Sequence, residues 1–364
     1  MSKWSSWLPL RQELRELSPY GAPQLDVSVR LNTNENPYSL SPEVCAEIIN
    51  RIKDVVTNLN RYPDRDALTL RGELANYINM QSETDFTFTN IWAANGSNEI
   101  LQSIFLAFGE KAMGFLPSYS MHPLIAKTAK CEWVAGSREP NFSLDIVKAS
   151  LAIADAKPNL VFVTTPNNPT GTAIEISDLQ LLADECKKIG ALLIIDEAYA
   201  EFASGESAVT LIAKNSHVLV VRTMSKAFAF AGVRVGYLVA NSEVIDALLL
   251  VRLPYHLGSL TQAAASAAIS MSDRLLSDVA KLKVARSEMA SALILMGLNV
   301  VNSDANFIAF SGFSKSEKEV WAALVQSGIL VRDIGIPGYL RVTIGTAAEN
   351  AKFLLALQEV LANG

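Results

Sequence analysis

The sequence predicts an α/β fold: a large unit with a mostly parallel sheet covered by helices, plus a smaller α+β unit. Three observations carry this expectation. At 364 residues, half of them apolar, the chain is longer than one hydrophobic core usually organises. Between about 90 and 241, short apolar β-branched runs alternate with longer helical patterns. Continuous apolar strands separated by helices imply a parallel sheet buried on both faces. Beyond about 263 the pattern changes to a long helical stretch and then short strand-like pieces.

The segments follow in order. Residues 1–15 carry Trp4 and Trp7 but no apolar run of signal-peptide length, so they are expected to form an arm. The arm, 1–45, is expected to join 263–364 in the smaller unit, leaving 46–262 as the large one. Gly96-Ser97-Asn98-Glu99 follows a strand-like segment and opens an apolar helix, Ile100 to Phe108. Leu160 to Val163 is a buried-strand pattern that ends in the turn-rich Thr165-Pro166-Asn167-Asn168-Pro169-Thr170-Gly171. Ser177 is expected to cap the next helix, through Leu179, Leu182, Ala183 and Cys186, with Gly190 ending it. Ala191 to Ile195 forms a second strand closed by Asp196-Glu197. Val218 to Val221 forms a third, ending in Arg222-Thr223-Met224-Ser225-Lys226. A long helical stretch is expected from about 263 to 296, then strands at Asn306–Phe310 and Tyr339–Ile344, then a closing amphipathic helix. Ligands of such sheets sit beyond the carboxyl ends of the strands, where all three of these strands deliver polar residues.

Composition removes several function classes. A net charge of -6 without a Lys/Arg cluster argues against a nucleic-acid partner. No run approaches the roughly 20 apolar residues that span a bilayer. Cys45, Cys131 and Cys186 lie far apart and are odd in number, which fits reduced thiols in a cytoplasmic protein. His122, His217 and His256 are too scattered for a zinc site, so no metal is expected. No Gly-x-Gly-x-x-Gly or Walker sequence follows a strand, which argues against a nucleotide-binding protein.

The chemistry concentrates in Asp196, Tyr199, Ser225, Lys226 and Arg234. Asp196 and Lys226 lie 30 residues apart at the ends of successive strands, so one crossover brings both into a single crevice. Pyridoxal 5'-phosphate needs that pair: a lysine to hold it as an imine, and an acid to keep its pyridine nitrogen protonated. An apolar, cation-bearing pocket lowers a lysine pKa enough for the amine to act, and Phe228, Phe230 and Arg234 supply such surroundings. Tyr199 is placed to hydrogen-bond the ring's phenolic oxygen. The amides that open the helix at Ser97 and Asn98 make an anion site, joined by the Ser225 hydroxyl and the Arg234 guanidinium.

The run Asp196-Glu197-Ala198-Tyr199, then Ser225-Lys226, then Arg234 with Gly236, resembles the signature of fold-type I pyridoxal-phosphate aminotransferases, over nearly the whole chain. The resemblance implies that fold, the cofactor and a homodimer. Asn168 matches the asparagine of that family's loop that contacts the phenolic oxygen. Thr223 joins the cofactor-binding set, and Tyr119, in Pro117-Ser118-Tyr119, matches the aromatic that covers one ring face. Tyr62, in Asn60-Arg61-Tyr62-Pro63, resembles the tyrosine that family dimers donate to the neighbouring subunit's phosphate.

Arg341, in Tyr339-Leu340-Arg341-Val342, matches the small-domain arginine that binds the amino-acid carboxylate, and Arg332 adds a second cation. Ser18-Pro19-Tyr20 and Leu31-Asn32-Thr33-Asn34-Glu35-Asn36-Pro37 closely resemble histidinol-phosphate aminotransferases, and Leu253-Pro254-Tyr255-His256-Leu257 is similar to their actinobacterial members. That resemblance implies transamination between L-histidinol phosphate and 2-oxoglutarate, giving imidazole-acetol phosphate and L-glutamate. Tyr20, Arg332 and Arg341 would face the substrate phosphate, with Asn34, Tyr255 and Asn306 also in the pocket. An aromatic-amino-acid aminotransferase, or a decarboxylase of a phosphorylated amino acid using the same cofactor, is the alternative. A non-catalytic regulator binding that cofactor is disfavoured, since it would need a DNA-binding domain and basic charge.

Overall fold

The computed structural model describes residues 4–5, 7–19 and 21–362. The first strand, β1 (Val29–Arg30), precedes helices α1 (Pro42–Val56) and α2 (Leu68–Ser82). Then come β2 (Ile91–Ala94), α3 (Ser97–Phe108), β3 (Lys111–Leu116), α4 (Met121–Thr128), β4 (Glu132–Ser137) and α5 (Ile146–Ala156). The centre continues with β5 (Leu160–Thr164), α6 (Ile176–Ile189), β6 (Leu192–Asp196), β7 (Val218–Thr223), β8 (Gly236–Val239), α7 (Ser242–Leu248) and α8 (Ser259–Ser270). The last part holds α9 (Ser272–Leu295), β9 (Asn299–Val300), β10 (Phe307–Ser311), α10 (Glu317–Gln326), β11 (Ile329–Leu330), β12 (Arg332–Asp333), β13 (Leu340–Thr343) and α11 (Ala347–Ala362).

Seven strands form the central sheet in the order β2-β8-β7-β6-β5-β3-β4. All neighbours are parallel except β8, which runs antiparallel to both β7 and β2. Alternate side chains of each strand point to opposite faces, and here both faces are apolar. Val161, Val163, Leu193, Ile195, Val218 and Val220 pack into one core. Leu160, Phe162, Ile194, Leu219 and Val221 pack into another, around Trp92 and Phe105. Coverage on both sides is what the unbroken apolar runs anticipated.

A second sheet, β12-β13-β10-β9, is wholly antiparallel. Strand β1 pairs in parallel with β11, Val29 opposite Ile329, so the chain before α1 joins the C-terminal part. No helix among the described residues is long and apolar enough to cross a membrane.

One local expectation is corrected. The residue capping α6 is Glu175, not Ser177, which lies inside the first turn; Gly190 does end the helix, at φ 73°. The helical stretch expected from about 263 to 296 is present, as two helices, because Met271 leaves helical geometry at φ -112° and ψ 20°. Ser270, Ser272 and Asp273 cluster at that break, and such side chains compete with helical hydrogen bonding.

Candidate active site

At the carboxyl ends of β5, β6 and β7 lies a cavity of about 420 Å³. It is lined by Asn34, Ser97, Asn98, Tyr119, Asn168, Asp196, Tyr199, Thr223, Ser225, Lys226, Arg234, Arg332 and Arg341. Tyr62 and Tyr255 are not among its walls: their rings stack on each other with centroids 4.4 Å apart, and Tyr62 is 79 % exposed. Asn306 is buried behind Asn34, its Nδ2 donating to the Asn34 carbonyl over 3.1 Å. Tyr20 lies outside the described residues.

Asp196 ends β6, directly opposite Thr164 of β5. It is buried, and its carboxylate is held at both oxygens. Oδ1 accepts the Ala198 backbone N–H over 3.2 Å, and Oδ2 lies 3.2 Å from His122 Nε2. Reading His122 only as a possible metal ligand missed this contact. The available signal was its spacing: His122 follows Tyr119 by three residues, so one turn brings both rings to the same wall.

Lys226 follows the end of β7, and its Nζ donates to the Thr33 carbonyl over 3.0 Å. Withdrawal from water, reinforced by Arg341 and Arg234 and opposed by Glu35, pushes its pKa down to about 8. Behind this wall, Arg222 Nη1 meets Glu197 Oε2 at 2.9 Å, a buried ion pair between the ends of β7 and β6.

The anion end of the cavity is built by close backbone approach. Gly96 precedes α3 at φ 78°, and a Cβ there would stand 2.6 Å from an Arg234 guanidinium nitrogen. On β8, a Cβ at Gly236 would meet the Ser97 backbone nitrogen and, at 2.6 Å, the Gly96 carbonyl carbon. Glycine at both positions lets Arg234 and the free amides of α3 converge. The Thr223 hydroxyl donates to Ser225 Oγ over 3.1 Å, and Arg234 Nη1 reaches Ser225 Oγ at 3.5 Å. A guanidinium, two hydroxyls and the free amides of a helix N-terminus gather at this cup, which suits a phosphate.

The opposite wall comes from the second sheet. Arg341 is buried; its Nη1 donates to Asn168 Oδ1 over 2.6 Å, its Nη2 donates to the Asn32 carbonyl over 3.0 Å, and its guanidinium lies 4.9 Å from the Phe307 ring centre. Arg332 lines the same cavity, and its Nη1, enclosed by protein, has no hydrogen-bond partner among the described residues. Asn34 lines the cavity, but its amide is committed to Tyr199 and Thr343.

The residues fit pyridoxal phosphate: a buried carboxylate, a reachable lysine and a donor-lined cup share one cavity. Comparison with known proteins points the same way. A family model described as aminotransferase class I and II matches residues 27–357. The chain is similar to the histidinol-phosphate aminotransferase of Mycolicibacterium vanbaalenii, 52 % identical over 354 residues, 96 % of this chain and 95 % of that relative. The Mycobacterium marinum histidinol-phosphate aminotransferase is 50 % identical over 359 residues, 98 % of this chain and 93 % of the relative. Among solved structures, the histidinol-phosphate aminotransferase from Clostridium acetobutylicum aligns with a TM-score of 0.83 at 25 % identity, over 92 % of this chain and 100 % of that one. The chain belongs to the class I and II aminotransferase family.

Proposed function

We propose that this aminotransferase exchanges an amino group between L-histidinol phosphate and 2-oxoglutarate, using pyridoxal phosphate held at Lys226. The observation that carries the substrate reading is that two guanidinium groups, Arg332 and Arg341, line the same cavity as Lys226. Two guanidinium groups suit a substrate with a phosphate better than one with a lone carboxylate. The curated relatives named above carry the same specificity in their names.

When bound, pyridoxal phosphate supplies a ring that accepts the electron pair left as the substrate's α-proton departs. The protein's own groups do the rest. Asp196, oriented by His122 and the Ala198 amide, faces the ring nitrogen and keeps a proton on it. The Lys226 amine, its basicity reduced, would take the α-proton and return it to the cofactor's C4' carbon, a 1,3 shift by a single general base. Tyr199 donates to the ring's phenolic oxygen, with Asn168 beside it. The α3 amides at Ser97 and Asn98, with Thr223, Ser225 and Arg234, bind the phosphate, and Tyr119 covers one face of the ring. Arg332 and Arg341, with Tyr20, hold the substrate phosphate, and Arg341 takes the glutamate carboxylate in the other half-reaction.

The enzyme works as a homodimer, in which the exposed Tyr62 reaches the neighbouring subunit's phosphate site and Tyr255 supports it by stacking. A cytoplasmic setting agrees with three cysteines that form no disulfide.

A substrate panel on pyridoxal-phosphate-loaded protein tests the specificity. Histidinol phosphate should exceed phenylalanine in kcat/KM by at least about a hundredfold, because a site built for a polar group rejects analogues lacking it. Comparable values, or release of carbon dioxide instead of amino transfer, would overturn the assignment.

A further inference from the structure

Two side-chain amides meet the Tyr199 hydroxyl, and the orientation of each is dictated at its far end. Asn34 Nδ2 lies 2.9 Å from Tyr199 Oη, and Asn168 Nδ2 lies 3.5 Å from it. Which end of an amide faces a neighbour follows from the partners of both ends. The far end of Asn168 meets Arg341 Nη1 at 2.6 Å; a guanidinium only donates, so Oδ1 must face it. The far end of Asn34 meets Thr343. That hydroxyl already accepts the Asn34 backbone N–H over 3.0 Å, and it gives its own hydrogen to Asn34 Oδ1 over 3.0 Å. Reversing the amide would aim a second donor at Thr343 Oγ1 and set Oδ1 to compete for the tyrosine's hydrogen.

Both amides therefore turn an N–H toward Tyr199. The phenol oxygen accepts twice, and its single hydrogen is directed away from both amides, while Tyr199 itself lines the cavity. Arg341 and Thr343 stand two apart on β13, on one face of the strand, so one strand orients both amides. Asn34 is fixed for this task. It is 2 % exposed and held at φ 56°, a left-handed conformation that asparagine tolerates better than most residues, and its carbonyl accepts from Asn306.

We propose that Asn34 is a positioning residue: oriented by Thr343, it holds the Tyr199 oxygen as an acceptor so that the phenol gives its proton to the ring oxygen of the bound cofactor. The inference rests on the reading of this cavity as a pyridoxal-phosphate site. A hydrogen donated to that ring oxygen competes with the proton on the Lys226 nitrogen, which shares the same oxygen. Asn34 thereby lowers the pH at which the lysine–cofactor link loses its proton.

The test is a pH titration of the visible absorption of the substrate-free holoenzyme, with thermal melting recorded alongside. Asn34→Ala and Thr343→Val, both charge-neutral, should each raise the midpoint by about 0.5–1 pH unit, the worth of one neutral hydrogen bond. Thr343→Ser, which keeps the hydroxyl, should leave it in place. In a Tyr199→Phe background, Asn34→Ala should add no further shift, because its effect passes through the phenol. A midpoint that stays put in both neutral variants while melting falls would overturn the proposal, as would an equal shift with and without the Tyr199 hydroxyl. If one variant does not fold, the other carries the same measurement. Borohydride reduction of the wild-type holoenzyme keeps the two readings apart. A wild-type sample with no pyridoxyl label on Lys226 removes the cofactor reading and this inference together, whereas a labelled sample with an unmoved midpoint removes only this inference.

Discussion

His122 Nε2 stands 3.2 Å from Asp196 Oδ2, with both side chains buried and the imidazole wedged edge-on to Tyr119 and tilted against Phe162. A ring nitrogen set against a buried carboxylate fixes its orientation, which a proton-holding role at a ring nitrogen requires. His122→Phe should preserve the fold and lower kcat about 10- to 100-fold, the value of one hydrogen bond to a charged group. Steady-state kinetics beside near-ultraviolet dichroism of the holoenzyme decide it; an unchanged kcat would show that Asp196 needs no support.

The Lys226 amine should gain reactivity near pH 8. Its folded pKa of about 8 lies below the 10.5 of a free lysine, so the neutral amine appears at lower pH. At pH 8 about half of the amine is unprotonated, against roughly 0.3 % for an ordinary lysine. The rate at which cofactor-free protein takes up pyridoxal phosphate should rise with pH and level off above about 8. Linkage carries the same sign. Between about 8 and 10.5 the unfolded chain binds the extra proton, so stability should rise with pH across that window and lose this rise in Lys226→Met. Lys226→Ala should also abolish transamination while leaving much of the fold.

Gly236→Ala should weaken cofactor binding more than it weakens the fold. The added Cβ collides with the Ser97 amide and the Gly96 carbonyl carbon, backbone atoms that cannot swing aside as a side chain would. The start of α3 must shift, and the phosphate donors shift with it. We expect at least about a tenfold rise in the dissociation constant for pyridoxal phosphate, the loss of one charge-assisted hydrogen bond, read by absorbance titration.

Arg341→Lys should not behave as a conservative change. A lysine cannot reach the Asn168 oxygen and the Asn32 carbonyl together while lying over the Phe307 ring. We expect kcat/KM for glutamate to fall about 100-fold, from the lost bidentate pairing. A loss below threefold would place the carboxylate elsewhere.

Much of this was legible in the chain itself. The runs at 160–163, 191–195 and 218–221 are apolar at every position because both faces of their sheet are covered, and such burial leaves a mark in each residue. Asp196 and Lys226 stand where those runs stop, so their meeting in one crevice followed from a parallel crossover, although its connection is made of 3-10 turns (Ala200–Phe202 and Ala208–Leu211) and not an α-helix. Gly190 ends its helix as its residue type suggests, because a positive φ is a local demand.

Tertiary structure alone decided what joins distant segments. That β1 pairs in parallel with β11 and, among the described residues, with no other strand, that His122 meets the Asp196 carboxylate, and that the Asn34 amide meets the Tyr199 hydroxyl are facts of packing between elements far apart in sequence. No periodicity records them, since periodicity reports which face of an element is buried and not which neighbour it meets. The direction of a single amide depends on a threonine 309 residues away, and that information exists only once the chain has closed on itself.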